Sequence, residues 1–262
     1  MTDATATRAQ QLLTEHFGHD QFKAGQQQVI ERLLAGQSSL AVFPTGGGKS
    51  LCYQLPALVF DGLTIVVSPL IALMKDQIDQ LCERGILAVR LDSSLTREEY
   101  QHAMSSIRSG EAKLLYVAPE RFFNERFKSA LSGIKISLFA VDEAHCISQW
   151  GHNFRPDYLK LALIVEQLKV ERVLALTATA TPEVRDDICQ ALHIDAEGVA
   201  CTKFFRENLH IRTSVETPAS RLENLIEQIK DRESGATIVY VTLQKTAELV
   251  ACLLYTSPSP RD

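Results

Sequence analysis

The chain has 262 residues, 45% hydrophobic and 23% charged, with a formal net charge of −5. That balance fits a soluble globular protein of one large domain, or of one domain and part of a second. It excludes a uniformly basic surface, so any contact with a phosphate backbone has to be local.

The N-terminus, MTDATATRAQ, is polar and lacks the apolar stretch of a signal peptide. No apolar run approaches the roughly 20 residues needed to span a bilayer. Six cysteines are present, none in a CxxC pair and none beside a histidine pair at zinc-ligand spacing. They read as buried or free thiols in a reducing compartment. The expectation is a cytoplasmic protein without membrane contact.

Five short apolar runs then follow one another: SSLAVFP, LTIVVSP, KLLYVAP, ISLFAVDEA and RVLALTAT. Each is near-continuous rather than alternating, as in strands buried on both faces of a parallel sheet. Helical stretches lie between them; one, at 69–85, opens on a proline and stops at Gly85. Repeated strand–helix units predict an α/β fold, a doubly wound parallel sheet. Ligands in such sheets bind beyond the carboxyl ends of the strands, and all five runs end in loops rich in polar or small residues.

The first of these loops, FPTGGGKS at 43–50, follows a strand and opens a helix. Gly46, Gly47 and Gly48 allow the backbone to turn its N–H groups inward around phosphate oxygens. The helix start favours the same anion. Lys49 is placed to reach the β- and γ-phosphates, and the Ser50 hydroxyl to ligate Mg²⁺. The strict phosphate-loop pattern has glycine where Phe43 stands, so the match is to the Thr45-Gly-x-Gly-Lys-Ser variant. Taken alone, the loop also reads as a glycine turn with a solvated lysine. The second loop to carry chemistry is Asp142-Glu143. The pair reads as a metal-holding carboxylate followed by a carboxylate that polarises the attacking water, or as an acidic cap on a helix. Phosphoryl transfer calls for a phosphate cradle and a metal-bearing acid together, and places them on neighbouring strands.

The phosphate loop, VVSPLIALMKDQ (66–77), DEAH (142–145) and LTATAT (176–181) together resemble a superfamily 2 helicase. DEAHCISQWGHNFRP (142–156) closely resembles the aromatic-rich loop of RecQ-type DNA helicases. FGHDQFKAGQQQVI (17–30) is similar to that family's adenine-reading motif, and YVAPER (116–121) to another of its blocks. The resemblance spans residues 10–252 and implies a RecA-like sheet followed by the truncated start of a second RecA-like domain. Its expected boundaries are 1–207, 208–252 and a foreign-looking tail at 253–262 ending in TSPSPRD.

Carried over by position, the resemblance makes Gln26 the amide that reads adenine. Lys23 stands where the family usually has arginine, and His19 where it commonly has tyrosine. Catalytic roles fall to Lys49, Asp142, Glu143 and His145, with Mg²⁺ held by Ser50 and Asp142. His145 is implied to link Glu143 to Thr177 and Thr179. Ser68, Arg121, Trp150, Phe154 and Arg155 are implied to meet DNA; the alternative is packing for the two aromatics and capping for Ser68 and Arg121. Tyr158 reads as packing, and Phe204, Arg206 and Asn208 as hinge residues. The implied cofactors are ATP and Mg²⁺, with zinc confined to a C-terminal module absent from this chain. The implied partners are single-stranded and partly duplex DNA, unwound 3′ to 5′ in repair and recombination. Because the resemblance assigns the transition-state arginine to the second domain, residues 1–262 alone are expected to bind nucleotide and DNA weakly and not to hydrolyse ATP at a helicase-like rate.

Overall fold

The computed structural model describes residues 3–92, 94–151, 154–203, 208–217, 220–230 and 235–256. The chain divides into two compact units after residue 205.

The first unit runs α1 (Asp3–Phe17), α2 (Gln26–Leu34), β1 (Ser39–Val42), α3 (Leu51–Val59), β2 (Leu63–Val67) and α4 (Ile71–Glu83). It continues through β3 (Ala88–Arg90), α5 (Arg97–Ser109), β4 (Leu114–Val117), α6 (Glu125–Leu131) and β5 (Ile136–Val141). It ends with α7 (Pro156–Leu159), α8 (Leu161–Gln167), β6 (Val173–Thr177), α9 (Pro182–Ala191) and β7 (Val199–Cys201). The seven strands form one sheet in the order β3-β4-β2-β5-β6-β1-β7, and every described pairing is parallel. This is an α/β sheet of the RecA-like kind.

Strands β1, β2, β4, β5 and β6 are buried along their whole length. Their side chains alternate between two cores. Leu40, Ile65, Phe139 and Ala175 enter one, and Ala41, Val66, Leu138 and Leu174 the other. That two-sided burial is why the runs are continuous in sequence: helices cover both faces, so neither side of a strand needs a polar residue. The two remaining strands, β3 and β7, are three-residue edge strands that are only half buried; they carry too few apolar residues to stand out as runs.

The helix boundaries follow local chemistry. Thr96 and Glu99 form a reciprocal capping box at the start of α5, and Gly110 ends it at φ 77°. Thr181 accepts from the Val184 N–H and Pro182 occupies the first turn of α9.

The second unit holds α10 (Arg221–Lys230) and α11 (Gln244–Thr256). The apolar run ATIVYVT at 236–242, which reads as the first strand of a second sheet, forms no strand. A strand needs a ladder partner, and no described segment pairs with this one; Ile238 and Tyr240 are 76% and 89% exposed. Helix α11 continues through Thr256. Phe204, Arg206 and the remainder of the expected tail lie outside the described residues, while Asn208 is exposed.

Candidate nucleotide site and the aromatic loop beside it

The expected site residues gather at the carboxyl ends of β4, β2, β5, β6 and β1, which are consecutive neighbours in the sheet. One expectation about their layout is corrected. The phosphate-loop strand and the acidic strand are not adjacent, because β6 lies between them. The end of β6 is Thr177, and this position makes it the physical link between the two loops. Its carbonyl accepts from the Phe43 N–H at 3.1 Å. Its hydroxyl lies 3.0 Å from His145 Nδ1 and donates to the Thr179 carbonyl at 3.0 Å.

The phosphate loop turns through Gly46 and Gly48 at φ 81° and 75°. A Cβ on Gly47 would lie 2.8 Å from the Pro44 carbonyl oxygen, so the tight turn requires glycine. Lys49 donates to the Phe43 carbonyl at 3.1 Å, and Lys23 to the Gly46 carbonyl at 3.2 Å. Thr45 and Gly46 are exposed, and Ser50 precedes the first residue of α3. Phe43, the departure from the strict pattern, is fully buried. Its ring sits so close to Gly25 that a Cβ there would come within 2.7 Å of it. Phe43 thus packs the loop onto the turn before α2, a role the spacing rule does not reveal.

Gln26 is only 2% exposed. Its amide oxygen accepts from the Lys23 N–H at 2.8 Å and its amide nitrogen donates to the Gly48 carbonyl at 2.9 Å. Both ends of the group expected to read adenine are engaged with backbone here, so base reading requires these bonds to be exchanged. His19 is exposed.

Asp142 and Glu143 follow β5. The Asp142 carboxylate accepts from the Glu143 N–H at 3.0 Å. Burial, and next the charge of Glu143, push its carboxyl up to about 6, against the Glu143 N–H, the Lys49 ammonium and the Ser68 hydroxyl. A carboxylate whose charge is this costly to keep is a good seat for a cation. Among the described residues no cluster of three or more His, Cys, Asp or Glu side chains is placed to hold a metal. Mg²⁺ suits that sparse set, since it keeps several waters and takes one or two protein oxygens; Asp142 and Ser50 are the residues that would hold it. Glu143 adopts φ 50° and ψ 43°, a left-handed conformation that costs a non-glycine residue about 1–3 kcal/mol and recurs at functional sites. Its carboxylate lies 3.3 Å from His145 Nδ1. Hydrogen bonding to Cys146 and Glu143 pushes the His145 imidazole up to about 9, against burial. A continuous chain runs Glu143, His145, Thr177, Thr179.

The aromatic loop leaves directly from this chain. Trp150 is 80% exposed, which removes the packing alternative for its side chain. Phe154 is half-buried and Arg155 exposed. The Arg155 N–H donates to the Cys146 carbonyl at 3.0 Å. Tyr158 is buried, as expected for packing, and in addition donates its hydroxyl to the Asp142 carbonyl at 3.1 Å. Of the other residues expected at DNA, Arg121 is half-buried and stacks its guanidinium 5.4 Å from the Phe127 ring centre. Ser68 is 4% exposed and accepts from the Leu70 N–H. Its hydroxyl interacts with the Asp142 carboxylate rather than with solvent.

The parallel sheet, the glycine cradle on β1 and the acidic pair on β5 define a RecA-like protein of the phosphate-loop class. Residues 23–188 match the family model of the DEAD/DEAH box helicases, and the chain belongs to that family. It is 45% identical over 245 residues to the ATP-dependent DNA helicase RecQ of Bacillus subtilis, covering 93% of this chain and 41% of the relative. It is 42% identical over 258 residues to the probable ATP-dependent DNA helicase RecS of the same organism, covering 97% and 51%. The chain therefore spans about half the length, or less, of these relatives. Among solved structures, Mycobacterium smegmatis helicase Lhr matches at TM-score 0.62 and 17% identity, over 94% of this chain and 35% of that one. No helix among the described residues is long and apolar enough to cross a membrane.

Proposed function

We propose that this chain is the nucleotide-binding part of an intracellular ATP-dependent DNA helicase, in which Mg²⁺-ATP hydrolysis is coupled to binding of single-stranded DNA next to a duplex. The relatives' names support the enzyme class; the 3′-to-5′ polarity and a role in repair and recombination rest on the resemblance to RecQ-type enzymes. The observation that carries the coupling is the hydrogen-bonded chain from Glu143 through His145 to Thr177, with solvent-exposed Trp150 on the same segment.

In this reading Lys49 exchanges the Phe43 carbonyl for phosphate oxygens, and the backbone N–H groups of Gly46 to Ser50 line the phosphates. Gln26 gives up Gly48 and Lys23 to meet the adenine edge. Ser50 and Asp142 hold Mg²⁺, which would neutralise charge on the phosphates. Glu143 orients the attacking water and accepts its proton, while the His145 imidazolium fixes the carboxylate. Trp150 and Phe154 offer faces for bases at roughly 1–3 kcal/mol per stacked base, and Arg155 and Arg121 offer charge to phosphates.

The test is calorimetric titration of the chain with Mg²⁺-ATP and Mg²⁺-GTP, alongside Lys49→Ala. A hydrogen bond to a charged group is worth about 1.5–3 kcal/mol, so Lys49→Ala should weaken ATP roughly tenfold to a hundredfold with the fold intact. Equal affinity of the parent and Lys49→Ala would reject the site. Equal affinity of the parent for ATP and GTP would reject Gln26 as an adenine reader.

A further inference from the structure

The turn over Ala144–Ile147 that carries His145 is attached to the β6–α9 segment at two points. One is the His145–Thr177 contact already described. The other lies just after the turn. Ser148, 1% exposed, donates its hydroxyl to the Asp187 carboxylate on α9 at 2.6 Å. The same hydroxyl oxygen accepts from the Trp150 N–H at 3.2 Å. An O–H···O⁻ bond of this length is of the strong, charge-assisted kind. The backbone around it leaves no slack, since a Cβ on Gly151 would lie 2.5 Å from the His145 carbonyl oxygen.

Helix α9 is equally constrained. Val184 and Ile188 hold it in the core, and Thr181, four residues after Thr177, caps its start. Asp187 therefore cannot follow the aromatic loop without drawing α9, and with it Thr177 to Thr181, along.

We infer that Ser148 and Asp187 are positioning residues, a latch that fixes the root of the Trp150 loop to α9 and gives the loop a second connection to the nucleotide site besides His145. A displacement of Trp150 then reaches the nucleotide site by two routes, to Glu143 through Cys146–His145 and to the phosphate loop through Ser148–Asp187 and the Thr177 carbonyl that holds the Phe43 N–H. The coupling function rests on the proposed DNA-dependent ATPase; the latch itself does not.

Trp150 is the single tryptophan of the chain, so its fluorescence reports this loop alone. The experiment is time-resolved anisotropy of Trp150 in the chain without ligands, then with Mg²⁺-ATP, then with oligothymidylate. Ser148→Ala and Asp187→Ala should each add a fast component to the decay and lower the amplitude of the slow one, and the double variant should lower it no more than either single one. Ser148→Thr and Asp187→Asn keep a donor and an acceptor and should restore it. Any change that Mg²⁺-ATP causes in the parent's Trp150 decay should be smaller in both alanine variants, where only the His145 route remains, while ATP affinity is kept. An unchanged decay in folded Ser148→Ala and Asp187→Ala would overturn the latch, as would the same lowering of the slow amplitude in the threonine and asparagine variants. No response of the parent to oligothymidylate would instead count against DNA as the ligand and leave the ligand-free comparison to decide the latch.

Discussion

At the level of single residues, the nucleotide site is held by hydrogen bonds that a bound nucleotide would have to replace. Gln26 is the clearest case. Both ends of its amide satisfy backbone groups of the phosphate loop and its approach. Gln26→Ala should therefore lower the stability of the nucleotide-free chain by about 1–3 kcal/mol, the cost of orphaned buried polar groups. Urea titration followed by circular dichroism measures this; a midpoint equal to the parent's would mean a free surface amide. His145 gives a pH dependence. Its imidazole is raised from an ordinary 6.5 to about 9 in the folded state. The stability it contributes is then full below 6.5 and is lost as pH rises through 9. The fall in denaturation midpoint between pH 7 and pH 10 should be smaller in His145→Gln than in the parent, and an equal fall would dismiss the ion pair with Glu143. The pattern around Gln26 made it a candidate site residue, but its engagement with the loop was not legible, because it depends on where α2 docks.

At the level of elements, α3 carries the consequences of the phosphate loop into the core. It starts at Leu51, immediately after Ser50, and its first turns are buried on all sides. Cys52 lies there, fully buried, and burial pushes its thiol up to about 12. At pH 8 it should resist iodoacetamide under native conditions, while exposed Cys82, Cys201 and Cys252 are alkylated. Peptide mass spectrometry reads the outcome, and labelling of Cys52 at the rate of Cys82 would show that α3 is not packed as described. The runs that became β1, β2, β4, β5 and β6 could be read in advance, since two-sided burial leaves a continuous apolar signature. The edge strands β3 and β7 could not, being too short to show a period. The run at 236–242 has the same composition as the buried strands and forms no strand, because composition supplies faces but a strand also needs a partner's N–H and C=O groups.

For the whole molecule, the two units differ in how well they bury their apolar residues. The first has two continuous cores, one on each face of the sheet. In the second, Ile211, Val215, Ile238, Tyr240 and Tyr255 are all at least 76% exposed. Exposed apolar patches of this sort favour association, and irregular exposed segments favour proteolysis. Limited trypsin digestion should cut first at Arg212, within the irregular stretch 208–217, and leave a core retaining α1 to β7. If the proposed nucleotide site is right, that core should show the same Mg²⁺-ATP affinity as the whole chain, and it should be more monodisperse by light scattering. A first cut inside the sheet unit would contradict this division of stability.

Residue types and their spacing were enough to show the α/β class and to single out the glycine loop with Lys49 and the Asp142-Glu143 pair as candidates, whereas for Trp150 they left packing open and only the family resemblance pointed to an exposed role. The class, the loop and the pair are legible because they follow from local rules: continuous apolar runs for buried strands, glycines that let a backbone turn tightly, and paired acids at a strand end. Strand order is not a local property. It put β6 between the cradle and the acids, and so made Thr177 the bridge. It brought Ser148 within reach of Asp187, 39 residues away, and pressed the Phe43 ring against Gly25. Side chains that meet only because a sheet closes in one order leave no periodic trace along the chain, which is why these contacts appear only in three dimensions.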